Sequence, residues 1–401
     1  MRSLRLGSRG VAILGGIASS IVASLVYPYI VYFLTKEEGF SLTAAGSLVG
    51  FATAINVIIR IVAGRLIDSV QLYKLASIGL ILVLALPVSL VFYPIWVAVL
   101  VGLVAYTAGA LLFGASMTLV IYSTDEPETE QKINFSYYYA STNLLLGLAP
   151  VAIFFFAVDN YKAVFITAII FQVASIIVVL LMLARTGSRE SSRKTSSAGL
   201  LKSYSSLFTK GFAIIFLIGC SYSCVYQQFT SNISVLVKGT QVLGRDLYPL
   251  LVAINGLFIV AIQPFYVKVL KKYQAQDVLL PGVVILLISS VFLILPLPVV
   301  ISFLLFALFF TIAEFIINLG LTDNIISIAP YEARGTWISC FALSRMAGAV
   351  GVPLGAILIE DYGVNFYMWS LVLICFVVLI LSVLSNKIRN GNRDAAVTVG
   401  P

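Results

Sequence analysis

Hydrophobic residues in this chain come in long unbroken runs, not in a one-sided helical stripe or a strand-like alternation. Twelve runs can be marked, roughly at 10–34, 42–63, 75–94, 95–122, 133–157, 163–184, 211–237, 247–267, 277–296, 299–327, 336–359 and 366–386. Each is close to the roughly 20 apolar residues that a helix needs to cross about 30 Å of hydrocarbon. Strands of a membrane barrel would alternate over segments of about 10 residues, so a barrel is excluded. The pattern predicts an all-α multi-pass membrane protein with twelve transmembrane helices. Pro94 divides the third run from the fourth, and Pro296 and Pro298 divide the ninth from the tenth. Arg2, Arg5 and Arg9 before the first run resemble a signal-peptide start. The run is too long for the apolar core of such a peptide and eleven more follow, so it reads as a retained helix.

The longest polar stretch, 185–210, contains RTGSRESSRKTSSAG and separates six runs from six. Its serine, glycine and basic residues make it a solvated linker. The expected domains are an N-terminal six-helix bundle (1–184), a basic cytoplasmic linker (185–210), a C-terminal six-helix bundle (211–386) and a cytoplasmic tail (387–401). Basic residues in alternate loops set the orientation. One side carries Arg2, Arg5, Arg9, Arg65, Lys74, Lys132, the linker, Lys268, Lys271, Lys272, Arg334, Lys387, Arg389 and Arg393, against Lys36, Lys162, Lys238 and Arg245 on the other. Both termini are therefore expected in the cytoplasm, as an even number of spans requires.

Composition narrows the chemistry. The chain is 60% hydrophobic and 10% charged, against about 25% charged in a soluble domain, so a soluble or disordered protein is excluded. It contains no histidine, which removes Ser–His–Asp, Cys–His and His-ligated metal chemistry. Cys220, Cys224, Cys340 and Cys375 all lie in apolar runs and read as small buried hydrophobes. The net charge of +8 reflects basic cytoplasmic loops, and nucleic acid is not an expected partner. No cofactor is implied.

The two halves echo each other. EPETEQK (126–132) precedes the fifth run and PYEARG (330–335) the eleventh. The fifth carries NLLLGLAP, with Asn143, Gly147 and Pro150; the eleventh carries SRMAGAVGVP, with Arg345, Gly351 and Pro353. VDNYKAVF and EDYGVNF follow them. Duplicated halves are a mark of transporters, with the site near mid-membrane between the repeats. Between the second and third runs lies AGRLIDSVQLYK, with Gly64, Arg65 and Asp68. An aspartate there can accept hydrogen bonds from a neighbouring helix N-terminus.

Twelve spans, a basic central linker, Gly64-Arg65-Leu66-Ile67-Asp68 after the second run and APYEARGTWISC entering the eleventh together resemble the major facilitator superfamily, over essentially the whole chain. The nearest likeness is to its drug-exporter-like members. The resemblance implies two pseudo-symmetric six-helix bundles and a cytoplasmic gate in which Asp68, beside Gly64 and Arg65, docks on a helix of the other half. It also implies a cavity lined by the first, fourth, seventh and tenth runs. The chain departs from the family pattern in several places. Ser69 and Gln71 stand where a basic residue and a glycine are usual, and the second-half copy, QPFYVKVLKKY, has no acid. The fourth run has no arginine, and Ala149-Pro150 replaces the usual Gly-Pro.

Ionisable groups inside the bilayer are costly and usually line a cavity or pair with each other. Glu314 and Arg345 lie near the middle of the tenth and eleventh runs, and Arg60 and Asp323 lie nearer the cytoplasmic ends of the second and tenth. At about 1.5 Å per residue, Glu314 and Arg345 sit about 20 and 14 Å deep, near enough for an ion pair. Such a pair could lock two helices together; alternatively Glu314 carries a proton or a substrate charge, and Arg345 holds an anion. Thr311, Glu314 and Asn318 share one helix face. The seventh run offers Tyr226, Gln227, Gln228 and Asn232, the first Tyr27 and the fifth Asn143 as further candidate contacts. The Tyr137–Tyr139 cluster reads as an aromatic belt.

Without histidine no intramembrane protease dyad can form, so an enzyme is not expected, and the duplicated halves weigh against a channel. The expected function is secondary active transport of a small organic solute across the cytoplasmic membrane by alternating access, with proton-coupled export of amphipathic compounds. The alternative is uptake or exchange of an organic anion through Arg345 or Arg60. The expected partners are that solute, lipid and protons, for a monomeric carrier.

Overall fold

The structure is a computed structural model. It describes residues 8–186 and 207–398, apart from 31–32, 35–36, most of 41–65, 69, 125, 157–160, 208, 231, 238–239, 243–244, 271 and 274. The linker 187–206, most of the second run and Arg65 therefore lie outside the described residues.

The described helices follow the apolar runs. In chain order they are α1 (Ser8–Leu25), α2 (Leu72–Val83), α3 (Ala85–Phe92), α4 (Trp96–Tyr122), α5 (Glu128–Phe156) and α6 (Tyr161–Thr186). Then come α7 (Lys210–Thr230), α8 (Asn232–Leu236), α9 (Leu247–Leu270), α10 (Ala275–Val291), α11 (Val299–Ile328), α12 (Arg334–Phe341), α13 (Met346–Tyr362) and α14 (Val364–Thr398). Among the described residues nine helical stretches are long and apolar enough to cross a membrane. In that count α2 with α3, and α12 with α13, each make one span. The ninth run forms the shorter apolar helix α10, and the fifth run forms α5, which begins among acidic residues.

The helices depart from the predicted bounds in particular ways. The eleventh run is not one helix: a 3-10 turn at Ala342–Arg345 divides α12 from α13. The expected tail is helical as far as Thr398, so α14 has 35 residues, roughly 50 Å at about 1.5 Å each. A two-residue antiparallel ladder, with Gln241 opposite Asp246 and Val242 opposite Arg245, leads into α9. Pro298, with φ −53° and ψ 134°, stands at the N-cap of α11, where its missing N–H costs nothing.

The chain forms two compact units. The first comprises Met1–Ala198, Ile259–Lys268 and Tyr331–Cys340. Its core gathers Ile21, Val22, Phe33, Leu86, Leu103 and Phe165. Small residues let its helices approach closely, the device that replaces hydrophobic drive within lipid. A Cβ on Gly79 of α2 would stand 2.7 Å from the Gly109 carbonyl oxygen of α4, and one on Gly109 would stand 2.5 Å from that of Gly79. The start of α1 is tied to α5: Arg9 pairs with Glu130 at 3.1 Å, and Glu126 accepts from Ser8 and, at 2.6 Å, from Asn134.

The second unit comprises Gly199–Phe258, Val269–Pro330 and Phe341–Pro401. An aromatic ladder runs through it, with Phe229 stacked on Phe310 at 5.0 Å, Phe306 on Phe310 at 5.4 Å and Tyr226 on Phe310 at 6.1 Å. The glycines of α13 face α7. A Cβ on Gly348 would stand 2.7 Å from the Ser223 carbonyl oxygen, and one on Gly355 would stand 2.6 Å from Gln228 Oε1.

Candidate functional site

Two constellations collect the chemistry. The first lies in the first unit. Asp68 sits against the start of α12, where the first backbone N–H groups of a helix have no intrahelical acceptor. Asp68 Oδ1 accepts from the Gly335 N–H at 2.7 Å, and Oδ2 accepts from the Thr336 N–H at 2.8 Å and from Thr336 Oγ1 at 2.6 Å. One carboxylate thus caps a helix some 267 residues further along the chain, and its charge opposes the positive end of the helix dipole. Two glycines make the approach possible. A Cβ on Gly64 would stand 2.9 Å from Thr336 Cα, and one on Gly335 would stand 2.6 Å from Ile67 Cγ2 and 2.7 Å from Asp68 Oδ1. Ile67 and Thr336 are buried beside the carboxylate, so water competes weakly for it. Arg60 is half-buried on the same stretch of chain.

The second constellation lies in the second unit around Glu314, which is 1% exposed at the middle of α11. Its Oε2 accepts from Asn255 Nδ2 of α9 at 2.5 Å, and the same amide reaches Thr311 Oγ1 at 3.2 Å. Asn318, one turn further along, donates to the Tyr222 hydroxyl of α7 at 3.3 Å. Glu314 and Arg345 both act electrostatically on that hydroxyl. The polar contact described for Glu314 is the one to Asn255, and Arg345 ends the 3-10 turn between α12 and α13. Arg345 is exposed there, whereas Glu314 faces a buried amide.

The remaining candidates separate by what they bond. Gln228 and Asn232 are buried in helix packing: Asn232 Nδ2 donates to Gln228 Oε1 at 2.6 Å and to the Val352 carbonyl at 3.0 Å, and Gln228 Oε1 also accepts from Tyr367 at 3.0 Å. They join α7, α8, α13 and α14. Gln227 is half-buried beside Gly348, and Tyr226 lies in the aromatic ladder. Asn143 donates to the Tyr139 carbonyl of its own helix at 2.9 Å. Tyr27 is 37% exposed and stacks on Tyr106 at 5.4 Å. Asp323 is buried near the end of α11. Sequence reasoning missed Asn255; its signal was a single amide in the apolar stretch VAINGLF.

A mainly helical chain with nine membrane-length apolar stretches among its described residues is a multi-pass membrane protein. The chain belongs to the Major Facilitator Superfamily, whose sequence profile matches residues 12–350. Among its relatives, the MFS-type transporter YttB of Bacillus subtilis (strain 168) is 23% identical over 94% of this chain and 95% of its own. YqjV of the same organism is 23% identical over 89% and 88%. Among solved structures, a bacterial homologue of the iron transporter ferroportin in its outward-facing state superposes with a TM-score of 0.77 at 12% identity, covering 95% of this chain and 100% of that one. The transporter FucP in its outward conformation gives 0.76 at 14% identity, covering 95% and 99%. The profile match establishes membership of this family of membrane transporters of small molecules, and the likenesses to solved structures show the fold.

Proposed function

We propose that the chain is a secondary active transporter that carries a small organic solute across the cell membrane by alternating access, as a monomer of two six-helix bundles (1–184 and 211–386) with both termini in the cytoplasm. Asp68 serves as the latch of the cytoplasmic gate. The observation that carries this reading is its three-bond cap on Gly335 and Thr336. A cap of this kind is reversible, because water can serve both the carboxylate and the released amides once they separate.

Proton-coupled export of an amphipathic compound is the leading form of that activity. Its support is the deeply buried acid Glu314 at the middle of α11, which accepts from an amide donor at 2.5 Å in the same unit as an aromatic ladder suited to apolar ligands. A buried carboxylate is costly when charged, so a cycle that protonates and releases it can couple to a proton gradient. Substrate-driven counterflow and pH-driven flux in proteoliposomes test this. Glu314→Gln is expected to keep counterflow and lose the response to a pH gradient. Undiminished, pH-dependent flux in that variant refutes the coupling role.

A second reading, exchange of an organic anion, is favoured by the exposed Arg345 set apart from Glu314. A thermal-shift panel on purified protein at two pH values separates the two. Carboxylates and phosphates that stabilise the parent but not Arg345→Gln support the anion carrier; apolar amines that stabilise it more at one pH support the exporter.

A further inference from the structure

Two pieces of the second half of the chain lie in the first compact unit: residues 259–268, within α9, and 331–340, which enter and form α12. Asp68 holds the second piece. A polar bond from the first comes from Gln263, whose side-chain amide donates to Ser136 Oγ of α5 at 3.2 Å. Gln263 is 3% exposed and Ser136 is wholly buried. Ser136 commits its own proton to the Ile133 carbonyl at 2.7 Å, so its hydroxyl oxygen is left to accept from Gln263.

This bond occupies the counterpart of the Asp68 site in the duplicated sequence. Gly64 opens the first copy, GRLID, and lies against Ser339, where a Cβ would stand 3.1 Å from Ser339 Cβ. Half a chain later stands Gln263, which opens the second copy, QPFYVKVLKKY; half a chain before Ser339 stands Ser136. The glycine–serine contact of one copy is thus a glutamine–serine hydrogen bond in the other. The second copy has no acid, and a neutral buried bond stands where the first uses a charge. A buried donor and acceptor lose more when parted than the bond yields when formed, which makes such a pair a restraint on separation.

We propose that Gln263, bonded to Ser136, is a second latch: a positioning residue that acts with Asp68 to keep the cytoplasmic gate closed. This rests on the alternating-access reading above. Two native cysteines report on it. Cys340 is buried at the end of α12, beside Asp68, and Cys375 is wholly buried in α14 of the second unit. Full-length proteins that keep only one of them are labelled with an impermeant maleimide from the cytoplasmic face of inverted vesicles. Gln263→Ala and Ser136→Ala are each expected to raise the labelling rate of Cys340 about fivefold, with no further gain in the double variant and no change at Cys375. Unchanged Cys340 labelling in both single variants, additive effects in the double, or a parallel rise at Cys375 overturns the proposal. Asp68→Asn separates the two readings. If it exposes Cys340 while both Gln263→Ala and Ser136→Ala do not, only the second latch fails; if none of the three does, the latch reading of Asp68 fails with it.

Discussion

Replacing Asp68 with asparagine changes one atom and one charge, and the geometry predicts a large effect. An asparagine oxygen can still accept from one donor at the start of α12. Its amide nitrogen then faces the Thr336 N–H and Oγ1, which now approach one carboxylate oxygen at 2.8 and 2.6 Å. Two donors meet a donor, and only the hydroxyl can turn away. Hydrogen bonds to charged groups contribute about 1.5–3 kcal/mol each, and the helix dipole adds a few tenths more. Water recovers part of this when the cap opens. A net loss of about 3 kcal/mol is a fair expectation, or about a hundredfold in the closed-to-open ratio. Hydrogen exchange read by mass spectrometry on the peptide spanning Gly335 and Thr336 measures it directly. These amides lie in the first turn of α12 without an intrahelical acceptor, and Asp68 supplies their hydrogen bonds. Their exchange should quicken by about two orders of magnitude in the variant. If it stays within threefold of the parent, the cap does not hold α12 and the gate argument fails with it.

Further predictions follow from the same distances. Gly64→Val should push α12 away from its neighbour, since even a Cβ would stand 2.9 Å from Thr336 Cα. Exchange at Gly335 should rise in this variant although Asp68 is intact, and an unchanged rate refutes the close approach. Asn255→Leu should lower pH-driven flux in the parent but not in a Glu314→Gln background, because the two residues act through one bond of 2.5 Å; additive losses in the double variant contradict this. Asn232→Ala should lower the melting temperature of the purified protein by about 2–4 °C while leaving substrate binding intact, since its bonds join helices. A weakened substrate response without loss of stability would place Asn232 in the binding wall instead.

Much of the fold was legible because lipid imposes a length. Every well-described apolar run yielded a helix near the expected place, and the prolines at 94, 296 and 298 marked real interruptions. The break at Ala342–Arg345 was not legible, because FALSRM contains neither proline nor glycine and nothing in it opposes a continuous helix. The helical extension of α14 to Thr398 was missed for the opposite reason: polarity was taken to end a helix, when it ends only the part that lipid covers. The acid at 68 was legible from its glycine and its loop. Its acceptor role became definite only when the start of α12 was placed against it, since hydrogen-bond partners 267 residues apart leave no local trace. For Glu314 and Arg345 the sequence supplied depth without direction: one side chain faces inward to Asn255 while the other ends a 3-10 turn.

The polar groups of this chain can be sorted by what a rigid movement of helices would do to their bonds. Asn143 donates to its own helix, and that bond survives any such movement. Asn232, Gln228 and Tyr367, with the Val352 carbonyl, tie four helices of one unit, so those helices move together. Asp68 differs from both groups. The partners described for it are two backbone amides and a hydroxyl on an element far along the chain, and their release exposes groups that water serves well. Breaking it therefore costs little more than the bonds themselves and leaves no unsatisfied group behind. A switch needs a contact strong enough to hold one state and replaceable enough to leave it, and a charged cap on a helix N-terminus meets both conditions. A bond of the Asn232 kind meets only the first, because parting buried amides inside lipid strands them without water. The sequence places its acid where reversibility is needed and the amides of Gln228 and Asn232 where permanence is.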